Sequence, residues 1–198
     1  MPEVYLDGSK IDFEDSGKNL TIGELIVSLE SELIRHRRFV LELWVDGEKL
    51  DNWRESLFLK KPVSSHGDFK LNTASVDAIA LEGIDIVQEY LRVIKSNITV
   101  CVRDLRIGNI GDTELSPIFE GLIEVVKTLD ALTQGGGRYG IDLFKENPGV
   151  FYQPLLKNME ALKNAKDSGD AVLAADILEY ELHPLIEEIE EKVFHKGV

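Results

Sequence analysis

Cysteine is almost absent: Cys101 is the only one in 198 residues. One thiol makes no intrachain disulfide and no thiolate zinc site, which fits a reducing compartment. It lies between Val100 and Val102 with no cation beside it to favour a thiolate, so it reads as an inert core thiol. Basic residues are also scarce, 22 Lys and Arg against 36 Asp and Glu, for a net charge of −14. The first 74 residues carry 10 basic and 14 acidic side chains and the remainder 12 and 22. A phosphate-binding surface needs clustered cations, so nucleic acid is not an expected partner, and an anionic membrane surface would repel the chain. No apolar run approaches the roughly 20 residues of a membrane span. The N-terminal residues Met1 to Gly8 lack the basic stretch and apolar run of a signal peptide. The expectation is a cytoplasmic protein without a membrane partner. Metalloprotease, nucleophile-elbow and phosphate-loop motifs are missing too, so no cofactor is expected.

What is present divides into two parts with different hydrophobic periods. Residues 1–74 alternate between strand and helix signals. Val4 to Leu6, the Asp7-Gly8 pair and Ile11 to Phe13 predict a hairpin, because Asp-Gly suits a tight primed turn. Thr21 and Glu24 have capping-box spacing, Leu20 can staple to Leu25, and Ile22, Leu25, Ile26, Leu29 and Leu33 form one helical face. In the next strand Phe39, Leu41, Leu43 and Val45 alternate with Val40, Glu42 and Trp44, and Asp46-Gly47 turns the chain. Short strands are expected at Leu57 to Leu59 and Phe69 to Leu71. This order resembles the layout of a β-grasp, ubiquitin-like module without the terminal Gly-Gly tail; a different α+β topology has the same order of elements.

From Ser75 the period becomes 3.6, and residues 75–198 predict an antiparallel four-helix bundle. Ser75 caps a helix carrying Ile79, Ile84, Val87, Leu91 and Ile94. Its extension through Ile98, Val102 and Leu105 competes with a strand, because Ile98 to Val102 is rich in β-branched residues. Gly108 and Gly111 break that pattern. A second helix starts at Thr113 to Pro117, buries Ile118, Leu122, Val125, Val126, Leu129 and Leu132, and ends at Gly135-Gly136-Gly137. A third spans about Pro148 to Lys166, with Val150, Phe151, Leu155, Leu156, Met159 and Leu162 apolar. The last begins at Asp170, with Val172, Leu173, Ala175, Ile177 and Leu178, and meets Pro184, which removes a backbone donor and predicts a kink. The fold class is therefore α+β, a small β-grasp-like module followed by the bundle. The linker at Asn72 to Ser75 is short, so the two parts are expected to pack together. The segments Arg106 to Asn109, Glu120 to Glu124 and Asp170 to Pro184 resemble a pattern in uncharacterised helical proteins of anaerobic bacteria, which carry a related Ala-Asp-x-Leu-Glu-Tyr-Glu-Leu block. That resemblance implies no activity.

Candidate sites are sparse. Arg106, Arg138 and Tyr139 are the candidates for lining a ligand pocket between the two parts. The glycines before Arg138 lack the Lys-Ser/Thr of a phosphate loop and read as an inter-helix loop. His36, His66, His183 and His195 are spread along the sequence. The nearest metal-like set joins Glu179 and His183, with Asp176, to Glu82, Asp85 and Glu89 on another helix; an ordinary i,i+4 pair explains Glu179 and His183 equally. His36-Arg37-Arg38 is the one basic cluster. It suits a helix C-terminus, or a small anionic docking site. Trp44 and Trp53 mark either a partner-binding patch or an internal contact. The leading expectation is a non-catalytic interaction protein, an adaptor or chaperone-like module that binds a protein partner or forms a homodimer. A ligand-binding protein or enzyme, and a carboxylate/His metal protein, are the alternatives.

Overall fold

The computed structural model describes residues 2–12, 20–55, 57–108 and 114–194. Phe13, Gly111, Thr113 and His195 lie outside them. The chain divides into two compact units, Met1–Ile79 and Ala80–Val198.

Unit 1 holds a five-stranded mixed sheet: β1 (Glu3–Leu6), β2 (Ser9–Ile11), β3 (Arg38–Val45), β4 (Glu48–Lys49) and β5 (Asp68–Ser75). The strand order is β2-β1-β5-β3-β4, with β1 parallel to the central β5 and the other pairings antiparallel. Helix α1 (Ile22–Leu33) lies between β2 and β3 in sequence, so the unit has the β-grasp arrangement. Both hairpins turn as the sequence predicts: Asp7, Gly8, Asp46 and Gly47 all take positive φ, the requirement of a type I′ turn. The capping box is present, with Thr21 and Glu24 exchanging side-chain and backbone hydrogen bonds. The N–H of Ile22, the first of the helix's unpaired donors, reaches the Lys61 carbonyl at 3.0 Å. Ile22, Leu25, Ile26 and Leu33 pack against Val4, Val40, Leu43, Val45, Phe69 and Leu71 to form the core.

Two expectations fail here. Leu57–Lys60 is a 3₁₀ turn rather than a strand. In β3 the alternation changes phase, so Val40 is buried and Leu41 is exposed. The cause is a β-bulge: Val40 pairs with Thr73 but Glu42 pairs with Asn72, leaving Leu41 as the extra residue. A period-2 reading assumes one residue against one, and a bulge shifts every side chain beyond it to the other face.

Unit 2 is helical. It contains most of α2 (Val76–Arg106), then α3 (Ser116–Tyr139), a 3₁₀ turn (Pro148–Phe151), α4 (Tyr152–Asp167), α5 (Ala171–Asp176), a π-helical segment (Ile177–Leu182) and α6 (His183–Val193). These share one apolar core. The stretch through Ile98 is helical. Ile98, Cys101 and Leu105 continue the buried spacing of Leu91 and Ile94, and that packing outweighs the small helix penalty of β-branching. Pro184 is the second residue of α6, and the carbonyl its ring leaves unpaired in a regular helix, that of Tyr180, lies in the π-helical segment. Four residues expected in the core, Val150, Leu156, Val172 and Leu173, are exposed, as is Ile79 in α2.

The triple glycine does not end α3; it forms part of its last turns. The helix stops at Gly140 (φ +65°), where the Ile141 N–H bonds the Gly136 carbonyl at 2.9 Å and the Gly140 N–H bonds that of Gly137 at 3.3 Å, a Schellman cap. Gly136 is buried beneath the returning chain: a Cβ there would come within 2.8 Å of the Ile141 carbonyl oxygen and 3.0 Å of Leu143. A Cβ on Gly135 or Gly137 would meet nothing within 4 Å. Replacing either by alanine should therefore stabilise the protein by about 0.5–1 kcal/mol, through helix propensity. Gly136→Ala should destabilise it by about 1–3 kcal/mol, through overpacking. Urea unfolding of the three variants checks this reversal of sign within one Gly-Gly-Gly run.

Candidate interaction surface

The candidate ligand residues are not brought together. Gly83 of α2 packs on Leu132 of α3 and Gly121 of α3 on Ile94 of α2, so the two helices run antiparallel. Arg106 is 23 residues beyond Gly83, about 34 Å along the helix at 1.5 Å per residue, whereas Arg138 and Tyr139 lie beyond Leu132 at the opposite end. Arg106 pairs with Glu179 and reaches the Tyr180 hydroxyl at 3.5 Å. The proposed metal ligands are separated by the same geometry. Glu179 sits at the Arg106 end of α2, Glu82 and Glu89 are about 36 and 25 Å back along it, and His183 faces Glu187 at 3.8 Å. No group of three His, Cys, Asp or Glu suited to a metal occurs among the described residues.

In unit 1 the candidate docking residues are largely committed to the fold. His36 is exposed at the end of the 3₁₀ turn that follows α1, and Arg37, with φ +50°, faces Asp77 at 3.6 Å. Arg38 donates to the Thr73 hydroxyl at 2.8 Å and to Asp7 at 3.2 Å, while Asp7 accepts the Thr73 N–H at 2.8 Å and its hydroxyl at 2.7 Å. Burial opposes ionisation of Asp7, but the two Thr73 donors and Arg38 prevail and lower its pKa. This triad pins the first hairpin turn to β5 and β3. Trp53 is 6% exposed, a core residue rather than part of a surface patch, and Trp44 is half-buried. Trp53 and Arg54 serve the bulge: the indole N–H donates to the Leu41 carbonyl at 3.4 Å and the guanidinium to that of Val40 at 2.8 Å. Arg54 also stacks on Trp53 at 4.1 Å and pairs with Glu30 at 2.6 Å.

The second turn has its own pin, which the sequence did not single out. Asp46 accepts from His66 Nδ1 at 2.8 Å and from the N–H groups of Gly67 and Asp68 at 2.7 and 3.2 Å. The His66 ring lies between Phe58 and Phe69, with centroids 5.0 and 5.9 Å away, and its Nε2 is buried without a partner. No described residue hydrogen-bonds that nitrogen, and the pair acts as a tie between the turn and β5. Cys101 is buried and donates to the Glu114 carbonyl at 3.5 Å; burial pushes its thiol pKa up, away from a reactive thiolate.

Two clefts stand out by volume. A 650 Å³ cleft in unit 1 runs beside α1, with Ile26, Val27, Trp53 and Leu59 among its walls. In unit 2, a 760 Å³ cleft between α4 and the C-terminal helical run exposes Lys157, Glu181 and Glu188. The one hydroxyl–carboxylate pair in the first cleft, Thr21 with Glu24 at 2.9 Å, is the capping box of α1.

The most ordered surface feature is on α2. Its buried seam, Ala80, Ile84, Val87, Leu91, Ile94, Ile98, Cys101 and Leu105, alternates steps of four and three without a break. Ile79, Ile86, Val93 and Val100 follow each other at seven-residue steps on a different face, and Ile107 continues the register just past the helix end. All are between 37% and 69% exposed, and Tyr90, 38% exposed, adjoins them. The exposed stripe repeats every seven residues, two steps of the buried seam's 3.5-residue average, so it follows that seam at a constant angle. An isolated exposed Val or Ile is ordinary, whereas five β-branched residues in one heptad register form a line of one exposed apolar residue per heptad along the helix. The same residues are visible in the sequence, where Ile79 reads as part of the core face with Ile84, Val87 and Leu91.

Asp46 offers a direct check of the turn pin. Its pKa is lowered by the His66 hydrogen bond first, and then by the two backbone donors. A carboxylate with a depressed folded pKa stabilises above its unfolded value near 3.8, and that contribution fades as pH falls through the folded value. Asp46→Asn keeps a residue tolerant of positive φ, so urea unfolding should find it less stable than the parent at pH 6, with the gap closing below pH 3.8. Among known proteins, residues 3–75 match the family model described as TP0873 N-terminal domain. The match stops at the end of β5, leaving α2 and all that follows outside it. No curated protein and no solved structure matches the chain.

Proposed function

We propose that this chain is a non-catalytic interaction module, a cytoplasmic adaptor or chaperone-like protein that works by holding another polypeptide. The observation that carries this reading is the exposed β-branched register of α2. Water-facing β-branched residues at seven-residue steps bring no stability to a lone helix, whereas they supply the apolar seam that a partner helix covers. The polar networks support the same reading from the other side. The Asp7, Asp46 and Arg54 clusters are occupied in holding turns and a bulge, and the Thr21–Glu24 pair in the cleft beside α1 is occupied in capping that helix. No described helix is long and apolar enough to cross a membrane, and the acidic surface disfavours anionic lipid and nucleic acid. On this reading unit 2 is an antiparallel bundle whose longest helix presents the docking face, and unit 1 is a separate small module.

Val93 is at the middle of the stripe and 46% exposed, so Val93→Asp leaves the core untouched while placing a charge in the seam. Tagged parent and variant, passed through lysate of the native cell, should differ: partners held by the parent should be lost from the variant, with helicity and Tm unchanged. Equal recovery by both proteins would refute α2 as the docking face.

A further inference from the structure

The charges along α2 identify an occupant for its exposed face. From Val76 to Leu91 the helix carries Asp77, Glu82, Asp85 and Glu89 and no cation, a net of −4. From Arg92 to Arg106 it carries Arg92, Lys95, Arg103 and Arg106 against Asp104 alone, a net of +3. Favourable interaction with the helix dipole reaches only the first and last turns, so it does not account for Glu82, Asp85 and Glu89. Some of these charges have internal partners: Arg92 with Glu89, Lys95 with Glu190 at 2.5 Å, and Arg106 with Glu179. Glu82 and Asp85 form no ion pair with any described residue, and Arg103 is 71% exposed beside its own neighbour Asp104. The acidic half of this helix thus complements its basic half.

We propose that the α2 stripe seats a second copy of this chain, α2 against α2, antiparallel and centred on Val93. The proposal rests on the reading of α2 as a docking face and names what docks there. An antiparallel two-fold about Val93 sets Val93 on Val93, Ile86 on Val100 and Ile79 on Ile107, like on like at every step. The same register places Glu82 and Asp85 of each copy near Arg103 of the other. A parallel pair would align acidic half with acidic half. Self-complementarity of one surface patch is the requirement of an isologous dimer. The seam has one branched residue per heptad, with Tyr90 as its aromatic side chain, over about 31 Å between Ile79 and Val100. Such a contact is at the small end of specific interfaces, and its Kd should be on the order of micromolar.

The test uses the full chain with Cys101→Ala, which removes the only native thiol. Ile86→Cys and Val100→Cys are introduced separately, and each protein is oxidised alone and in an equal mixture. The expected result is a disulfide-linked dimer that forms chiefly in the mixture and joins position 86 to position 100. Dimers that form equally well from each protein alone, or no dimer in any sample, would overturn the proposal. A second measurement avoids thiols. In sedimentation equilibrium, Glu82→Lys with Asp85→Lys should weaken the dimer by about tenfold, and adding Arg103→Glu should restore most of the loss. No recovery in the triple variant would contradict the antiparallel register. If the parent chain is a monomer at its highest soluble concentration, yet Val93→Asp still loses a partner from lysate, this proposal fails while the docking reading stands.

Discussion

The seven-residue period of α2 is the constraint on which the helical unit depends. Eight residues from Ala80 to Leu105 keep it without interruption, and each is buried. That seam supplies one wall of the core that α3, α4 and the C-terminal run complete. Close packing on it sets local demands elsewhere. Gly83 and Gly121 occupy places where a Cβ would come within 2.8 Å of Leu132 and Ile94. A helix held in that way presents its other faces in fixed register, and one of them repeats Ile, Ile, Val, Val, Ile at the same period. Buried core and exposed stripe are therefore two outcomes of one sequence rhythm.

Unit 1 works by a different logic, in which short polar ties hold strained backbone. Both hairpins put an aspartate at positive φ, and both aspartates spend their oxygens on a distant strand or loop. The bulge in β3 exposes carbonyls that Trp53 and Arg54 satisfy. These are the groups that a search for catalytic chemistry would notice first: a carboxylate beside a histidine, and an arginine beside a carboxylate. Their hydrogen bonds account for them as structure. A group with its lone pairs committed to backbone donors has little capacity left for a substrate.

The sequence was legible where local chemistry decides the outcome. The Asp-Gly turns, the Thr21–Glu24 capping box, the Asp170 cap and the α+β division all follow from side chains near each other in the chain. It was less legible where long-range contacts decide. The bulge at Leu41 needs knowledge of the β5 register, and the helical state of Gly135 to Gly137 needs knowledge of Gly140 and of the chain returning over Gly136. The candidate residues share chemical type but not a place in the fold. Arg106 and Arg138 are at opposite ends of a helix pair, and Trp53 is inside a core. The α2 stripe is present in the sequence, but its residues lie close enough to the core spacing that one apolar face accounts for Ile79 until burial separates the two.

The measurement that tests the docking role of α2 most directly is photocrosslinking in the native cell. A photoreactive amino acid placed at Val93 should trap a covalent adduct in high yield. The same residue at Lys163, exposed on α4 and away from the stripe, should trap little. Equal, background-level trapping at both positions would mean that the α2 face meets only water, and would contradict the account.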